Sequence, residues 1–147
     1  MSSLVSQAIA DRIKAISPNA FTHVKQALNV NNIIGNPISG NAQAWVIELV
    51  GQPDRNQRDT GAAVQFEDVL YAVVIGLKTT NDPTGEKSVV KLDALRLAVR
   101  QSLFDWSPER FDPFILAGNE QLHAEPAAVY WVERFASKHL IYKDNLL

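Results

Sequence analysis

The stretch from Val64 to Lys78 constrains the fold of this chain more than any other part of the sequence. Its second half, Val69 to Leu77, is apolar at almost every position and rich in β-branched residues, which is typical of a β-strand. Side chains alternate between the two faces of a strand. One face therefore carries Val69, Tyr71, Val73, Ile75 and Leu77, and the other carries Leu70, Ala72, Val74 and Gly76.

Both faces of this strand are predicted to be buried. A strand with one solvated face would alternate apolar and polar residues, as only the beginning of this stretch nearly does, with Gln65 and Glu67 against Val64 and Phe66. The second face therefore needs a cover. In so short a chain, another copy of the protein can supply that cover.

Length and composition predict a single domain over residues 1–147. The chain has 46% hydrophobic and 20% charged residues, which is ordinary globular composition. A net charge of −2 argues against an exposed nucleic-acid groove, since such grooves concentrate Lys and Arg. No cysteine is present, so disulfides and thiolate metal sites are excluded. We expect no signal peptide and no membrane segment, and therefore a soluble protein made in the cytoplasm.

The chain is predicted to begin with a short amphipathic helix. Ser3 is a candidate N-cap, and Pro18 ends the helix. Its apolar stripe is Val5, Ile9, Ile13 and Ile16. A short edge strand over 21–24, a loop over 29–43 rich in Asn and Gly, and a strand over 44–50 are expected to follow.

A long polar loop, residues 51–63, separates that strand from the central one. The two strands are predicted to form a hairpin with a long tip, and loops of this length in compact domains are often functional. The charged residues of the loop are Asp54, Arg55, Arg58 and Asp59. A solvated loop without function is the alternative.

A long helix is predicted over residues 86–104. One stripe, suited to packing on a sheet, consists of Leu92, Leu95, Val99 and Leu103. A second stripe on a different side consists of Val90, Ala94, Leu97 and Phe104. Two apolar faces indicate two packing partners, and the partner of the second is either the N-terminal helix of the same chain or a neighbouring molecule.

The last third predicts two more strands. One runs over 114–122 and is bent at Gly118, and the other follows Pro126 and places Val129, Trp131 and Phe135 on one face. Segregated helices and strands indicate the α+β class. We expect a mainly antiparallel sheet with the N-terminal helix and the long helix packed on one face.

The sequence contains no recognisable catalytic, cofactor or metal motif. His23, His123 and His139 lack metal-ligand spacing and are interpreted as surface or half-buried residues. Arg96 and Arg100 lie one helical turn apart and could clamp a phosphate or carboxylate, but such pairs more often form a solvated ridge or bind acidic groups of a neighbour. No enzymatic activity, cofactor or metal is predicted.

Several of these features together resemble the tail terminator, or tail-completion, proteins of long-tailed bacteriophages and related phage-like particles. They are the Ala44-Trp45-Val46-Ile47 strand after a short helix, the polar hairpin loop, the long helix ending at Leu103-Phe104-Asp105-Trp106-Ser107-Pro108, and the later Pro113-Phe114, Ala117-Gly118, Tyr130-Trp131 and Phe135. The resemblance covers nearly the whole chain, and its motifs reflect packing rather than chemistry.

The resemblance implies an α+β virion structural protein that assembles as a hexameric ring at the head-proximal end of the tail. Such a ring stops polymerisation of the tail tube protein, joins the tail to the neck or head-completion protein, and leaves a channel through which DNA passes without specific binding. Under this hypothesis the loop residues Asp54, Arg55, Arg58 and Asp59 contact the partners. The contact between subunits is assigned to Val90, Arg96, Leu97 and Arg100.

Two alternatives remain open from sequence. One is another neck or tail subunit of a phage. The other is a small enzyme or ligand-binding domain with a pocket near Trp45, Trp131 and His123.

Overall fold

A computed structural model describes residues 2–147 of the chain, with side chains described from Val5 onward. It contains two helices, five strands and one short 3₁₀ turn. In order, these are α1 (Ser2–Ile16), β1 (His23–Gln26), the 3₁₀ turn (Val30–Asn32), β2 (Ala42–Pro53), β3 (Gln65–Lys78), α2 (Glu86–Leu103), β4 (Ile115–Glu125) and β5 (Ala128–Ile141).

The strands form one sheet in the order β1-β2-β3-β5-β4. All neighbours are antiparallel except β1, which is parallel to β2. The strand predicted around Val64 to Lys78 is β3, and it lies at the centre of the sheet as expected. The predicted hairpin, the bent strand and the long last strand are likewise confirmed as β2–β3, β4 and β5. The α+β class is therefore confirmed.

Both helices pack on one face of the sheet. Buried Ile9 and Ile13 of α1 and buried Val99 and Leu103 of α2 share one apolar cluster with the face of β3 that carries Tyr71. The remaining β3 members of this cluster are Val69, Val73, Ile75 and Leu77. The first predicted stripe of the long helix thus has its expected role. In α1, Ile16 is exposed, so its stripe is shorter than predicted.

The other face of the sheet has its own apolar cluster, and this corrects one expectation. Ile33 and Ile38, from the segment between β1 and β2, are buried against Trp45 and Val74. The other buried members are Ile47, Ala72, Ala128, Tyr130 and Val132. Over this half of the second face, the cover comes from the same chain and not from another copy. A segment dense in Asn, Gly and Pro supplies it with Ile33 and Ile38, and with Val30 and Ile34, which are partly buried against the same cluster.

Some predicted boundaries shift. The edge strand begins at His23 rather than Phe21, and β2 continues to Pro53, so the hairpin loop spans 54–64. The first helix begins at Ser2; the side chain of Ser3, its predicted cap, lies outside the described residues. Within 2–147, no helix is long and apolar enough to cross a membrane.

Candidate functional site

The β2–β3 hairpin projects a polar loop whose backbone is held by side-chain hydrogen bonds, most of them made by Asn56. Asn56 donates from Nδ2 to the Arg58 carbonyl at 2.8 Å, and its Oδ1 accepts from the backbone N–H groups of Arg58 at 3.2 Å and Val64 at 3.0 Å. Gln65 donates to the Asp54 carbonyl at 2.6 Å. The loop therefore has a defined backbone path, although its side chains are mostly in solvent.

The four charged residues predicted to make contacts all lie in this loop. Arg55, Arg58 and Asp59 are exposed, and Asp54 is half-buried. Among residues 2–147, none of the four lies within ion-pair distance of an opposite charge. These charges are consequently free to meet a partner.

The second stripe of α2 is exposed, and we call Val90, Leu97 and Phe104 the outer stripe. Their exposed fractions are 71%, 54% and 55%. Packing of this stripe on α1, one of the two options left by the sequence, is therefore wrong. At the C-terminal end of the stripe, Phe104 lines a shallow groove together with Arg100 and with Leu116 of β4.

Arg96 and Arg100, predicted at a contact between subunits, meet a carboxylate of their own chain. Arg96 Nε donates to Glu133 Oε1 at 2.7 Å, and Arg100 donates to Glu133 Oε2 from Nε at 3.1 Å and from a terminal nitrogen at 3.0 Å. The Glu133 side chain is fully buried. The guanidinium of Arg96 also stacks 4.3 Å above the ring of Trp131 and donates to Asn119 at 3.1 Å.

Glu133 is not among the site residues that the sequence predicted. It occupies the helix-facing side of β5 between Trp131 and Phe135. A lone acid at an inward position of an otherwise apolar strand was the available signal, since a fully buried carboxylate requires charged or hydrogen-bonding partners. Its three charge-assisted hydrogen bonds fasten α2 to the sheet and orient the outer stripe away from the core.

The sheet face opposite the helices is uncovered over its second half. A row of four apolar side chains crosses the sheet there, each opposite the next: Val50, Leu70, Ala136 and Ile115. Val50 is 47% and Ile115 58% exposed, and the other two are half-buried. We call these four residues the bare row. Leu70 belongs to the β3 face that was predicted to need an outside cover, and here no other part of the described chain supplies one.

Charged pairs flank the bare row on both sides. Arg134 bonds Glu120 at 2.8 Å on one side, and Lys138 lies 4.0 Å from Asp68 on the other. An apolar centre with a polar rim is the usual anatomy of a protein interface. The signal in the sequence was the two-sided apolar pattern of β3, but it did not say which half of the second face would stay uncovered.

The predicted pocket of the enzymatic alternative does not form. Trp45 belongs to the cluster under the β1–β2 segment, whereas Trp131 packs on the helix side of the sheet. His123 is partly exposed near Tyr130, with ring centroids 6.0 Å apart. Trp45 and Trp131 thus point to opposite sides of the sheet and cannot line a common site.

His139 is buried, contrary to its prediction as a surface or half-buried residue. Its ring stacks on Phe111 at 4.3 Å, and Asn145 Nδ2 lies 3.2 Å from Nε2. Burial lowers the pKa of the His139 imidazole below its ordinary value. Within the described part of the chain, no group of three His, Cys, Asp or Glu residues could hold a metal ion.

Comparison with known proteins gives one family match. A family model described as phage tail terminator protein matches residues 1–145. Among solved structures, a chain of the virion of the native gene transfer agent particle is similar, with 14% sequence identity and a TM-score of 0.49. That similarity covers 91% of this chain and 92% of the other. No match was found among curated proteins.

Proposed function

The chain belongs to the phage tail terminator family, and from this membership and its exposed surfaces we propose that it forms a ring that caps the tail tube. The protein is a structural component of a virion tail. In the proposed mechanism the ring contains six copies. It stops polymerisation of the tube protein and presents a joining surface to the neck. No chemical step is required for this function.

The observation that carries the proposal is the exposed apolar surface on α2. The outer stripe places three large side chains in solvent on one face of a helix, while the opposite stripe of the same helix is buried in the core. Exposed apolar patches of this kind mark interaction surfaces. A protein that meets copies of itself and other tail proteins accounts for this patch.

The hairpin loop is proposed to contact the partners at the ends of the ring. It projects beyond the strands, its backbone is fixed by Asn56, and its two arginines and two aspartates have no ionic partner among residues 2–147. Charge pairs across an interface act mainly on specificity and on association rate. A loop with both signs of charge suits recognition of one partner surface over another.

The overall charge supports a passive channel. With a net charge of −2, the chain has no excess of Lys and Arg side chains that could neutralise the phosphates of DNA. In the proposed ring, DNA passes through the centre without being held there.

We expect charge reversal in the loop to impair assembly and leave the fold intact. The variant R55E/R58E changes two exposed side chains, so its stability should match that of the natural protein. If the affected contact weakens by about 1.4 kcal/mol, its association constant falls about tenfold, and the yield of infectious particles should fall with it. Yield is measured by complementing a phage that lacks the gene, and electron microscopy then counts headless and overlong tails.

A matched control comes from K14E/K25E. Both lysines are exposed, the change in charge is the same, and they lie at α1 and β1 rather than in the hairpin loop. This variant should give a normal yield. Normal yield from R55E/R58E would refute the role of the loop, and tails of normal length in particles without the protein would refute the capping function itself.

A further inference from the structure

Two apolar surfaces on this chain lie on opposite sides of its sheet. The outer stripe is on the helix side, and the bare row is on the side that the β1–β2 segment covers only in part. Each is rimmed by polar groups, and neither contacts the other within one molecule. Burial of both surfaces therefore requires contacts with other molecules at two different patches of the same chain.

The two surfaces are compatible in size and kind. From Val90 to Phe104 the outer stripe is about 21 Å long at the rise of an α-helix. The bare row crosses four strands and is therefore about 14 Å wide. A helix laid on a sheet face is also the packing that this chain already uses for its own core.

We propose that the outer stripe of one copy packs on the bare row of the next copy, in a head-to-tail contact. If copies met through the same patch on both sides, stripe against stripe, the bare row would remain exposed. A head-to-tail contact covers both surfaces of every copy, and it closes into a ring when the rotation between copies permits. This inference rests on the proposed ring function, and it names the two surfaces through which neighbouring copies in the ring make contact.

Charge gives the contact its direction. Lys87 and Lys91 lie one turn apart along one flank of the stripe, whereas Glu86 and Asp93 lie along the opposite flank, so one flank of the stripe is basic. Next to the bare row, a hollow lined by Ile115 and Ala136 also contains Asp68 and Asp112 against a single base, Lys138. The basic flank of the stripe and the acidic hollow beside the row therefore carry opposite charge, which favours their pairing over pairing of like surfaces.

The absence of cysteine makes this contact testable by cross-linking. The variant L97C/V50C places one thiol on the stripe and one on the row, in a chain with no other cysteine. The two positions lie on opposite sides of the sheet, so a short bismaleimide cannot join them within one molecule. Tails purified from complemented particles are treated with it and probed with an antibody against the protein.

We expect the double variant to give a ladder of dimers and larger species. L97C alone and V50C alone should stay monomeric, because a head-to-tail contact never brings two identical positions together. L97C/L28C is the matched control, since Leu28 is exposed beside the opposite edge strand. It too should stay monomeric.

The other possible results distinguish failure of this contact from failure of the ring function. If the double variant is present in tails and remains monomeric, the contact is refuted while the ring function stands. Dimers of L97C alone would refute it in favour of stripe-to-stripe pairing. If the natural protein is missing from purified tails, the proposed function fails and this inference fails with it.

Discussion

The buried carboxylate of Glu133 allows a quantitative test of how α2 is held on the sheet. Its side chain is fully buried, whereas the side chains of Arg96 and Arg100 are 22% and 31% exposed. The two sides of this ion cluster are therefore unequal. When the carboxylate is removed, the guanidiniums can turn to water, but when the guanidiniums are removed the carboxylate has no access to water.

The expected losses follow from this asymmetry. In E133Q the shape is kept and the charge is lost; Arg96 keeps Asn119 at 3.1 Å and the Trp131 ring at 4.3 Å. We expect a loss of about 2 kcal/mol, in the range for hydrogen bonds to charged groups. R96M/R100M leaves a buried carboxylate without a cation, and we expect a loss of about 4 kcal/mol.

Combining the changes should restore stability. Replacing a buried ion cluster by apolar residues of similar size is often close to neutral. The triple variant E133L/R96M/R100M should therefore lie within about 2 kcal/mol of the natural protein, far from the sum of the separate losses. This non-additivity is the specific signature of the cluster.

The assay is urea denaturation with linear extrapolation, at protein concentrations where the natural chain is monomeric. E120Q is the matched control, because Glu120 bonds Arg134 at 2.8 Å but its side chain is 58% exposed. Its loss should be below about 1 kcal/mol. If R96M/R100M loses no more than E133Q, or if the three changes are additive, the unequal burial does not govern this site.

Two further predictions concern packing and pH. G76A should destabilise the protein by about 1–3 kcal/mol in the same assay, because a Cβ on Gly76 would lie 2.9 Å from the buried Trp45 ring. G51A is the control and should be near neutral, because a Cβ on Gly51 would meet only the flexible end of the Glu67 side chain. Because the pKa of His139 is lowered in the folded protein, the unfolded chain binds a proton at a higher pH than the folded chain does. The contribution of His139 to the free energy of unfolding should therefore be fully present above pH of about 6.5 and decrease as the pH falls below it. The fall should be smaller in H139Q, and equal slopes in H139Q and the natural protein would refute the assignment.

Local pattern determined much of the fold in advance. The β-branched run of β3 predicted a central strand, and the buried stripe of α2 was read correctly from helical spacing. The polar stretch between two strands predicted the projecting hairpin. These features repeat within a few residues along the chain, so a periodic pattern is enough to reveal them.

Contacts between distant segments could not be obtained in this way. The sequence placed Arg96 and Arg100 on one helical turn, but the structure pairs them with Glu133, more than thirty residues away. His139 was misread because its burial depends on Phe111 and Asn145, from two other segments.

The sequence by itself determined that one strand is apolar on both faces and that one helix carries two apolar stripes. The tertiary structure decided which of those surfaces the chain covers itself: Ile33 and Ile38 close half of the second sheet face, while the bare row and the outer stripe stay in solvent. The physical reason is that apolarity is a property of each residue, whereas burial depends on which distant segment lies against it.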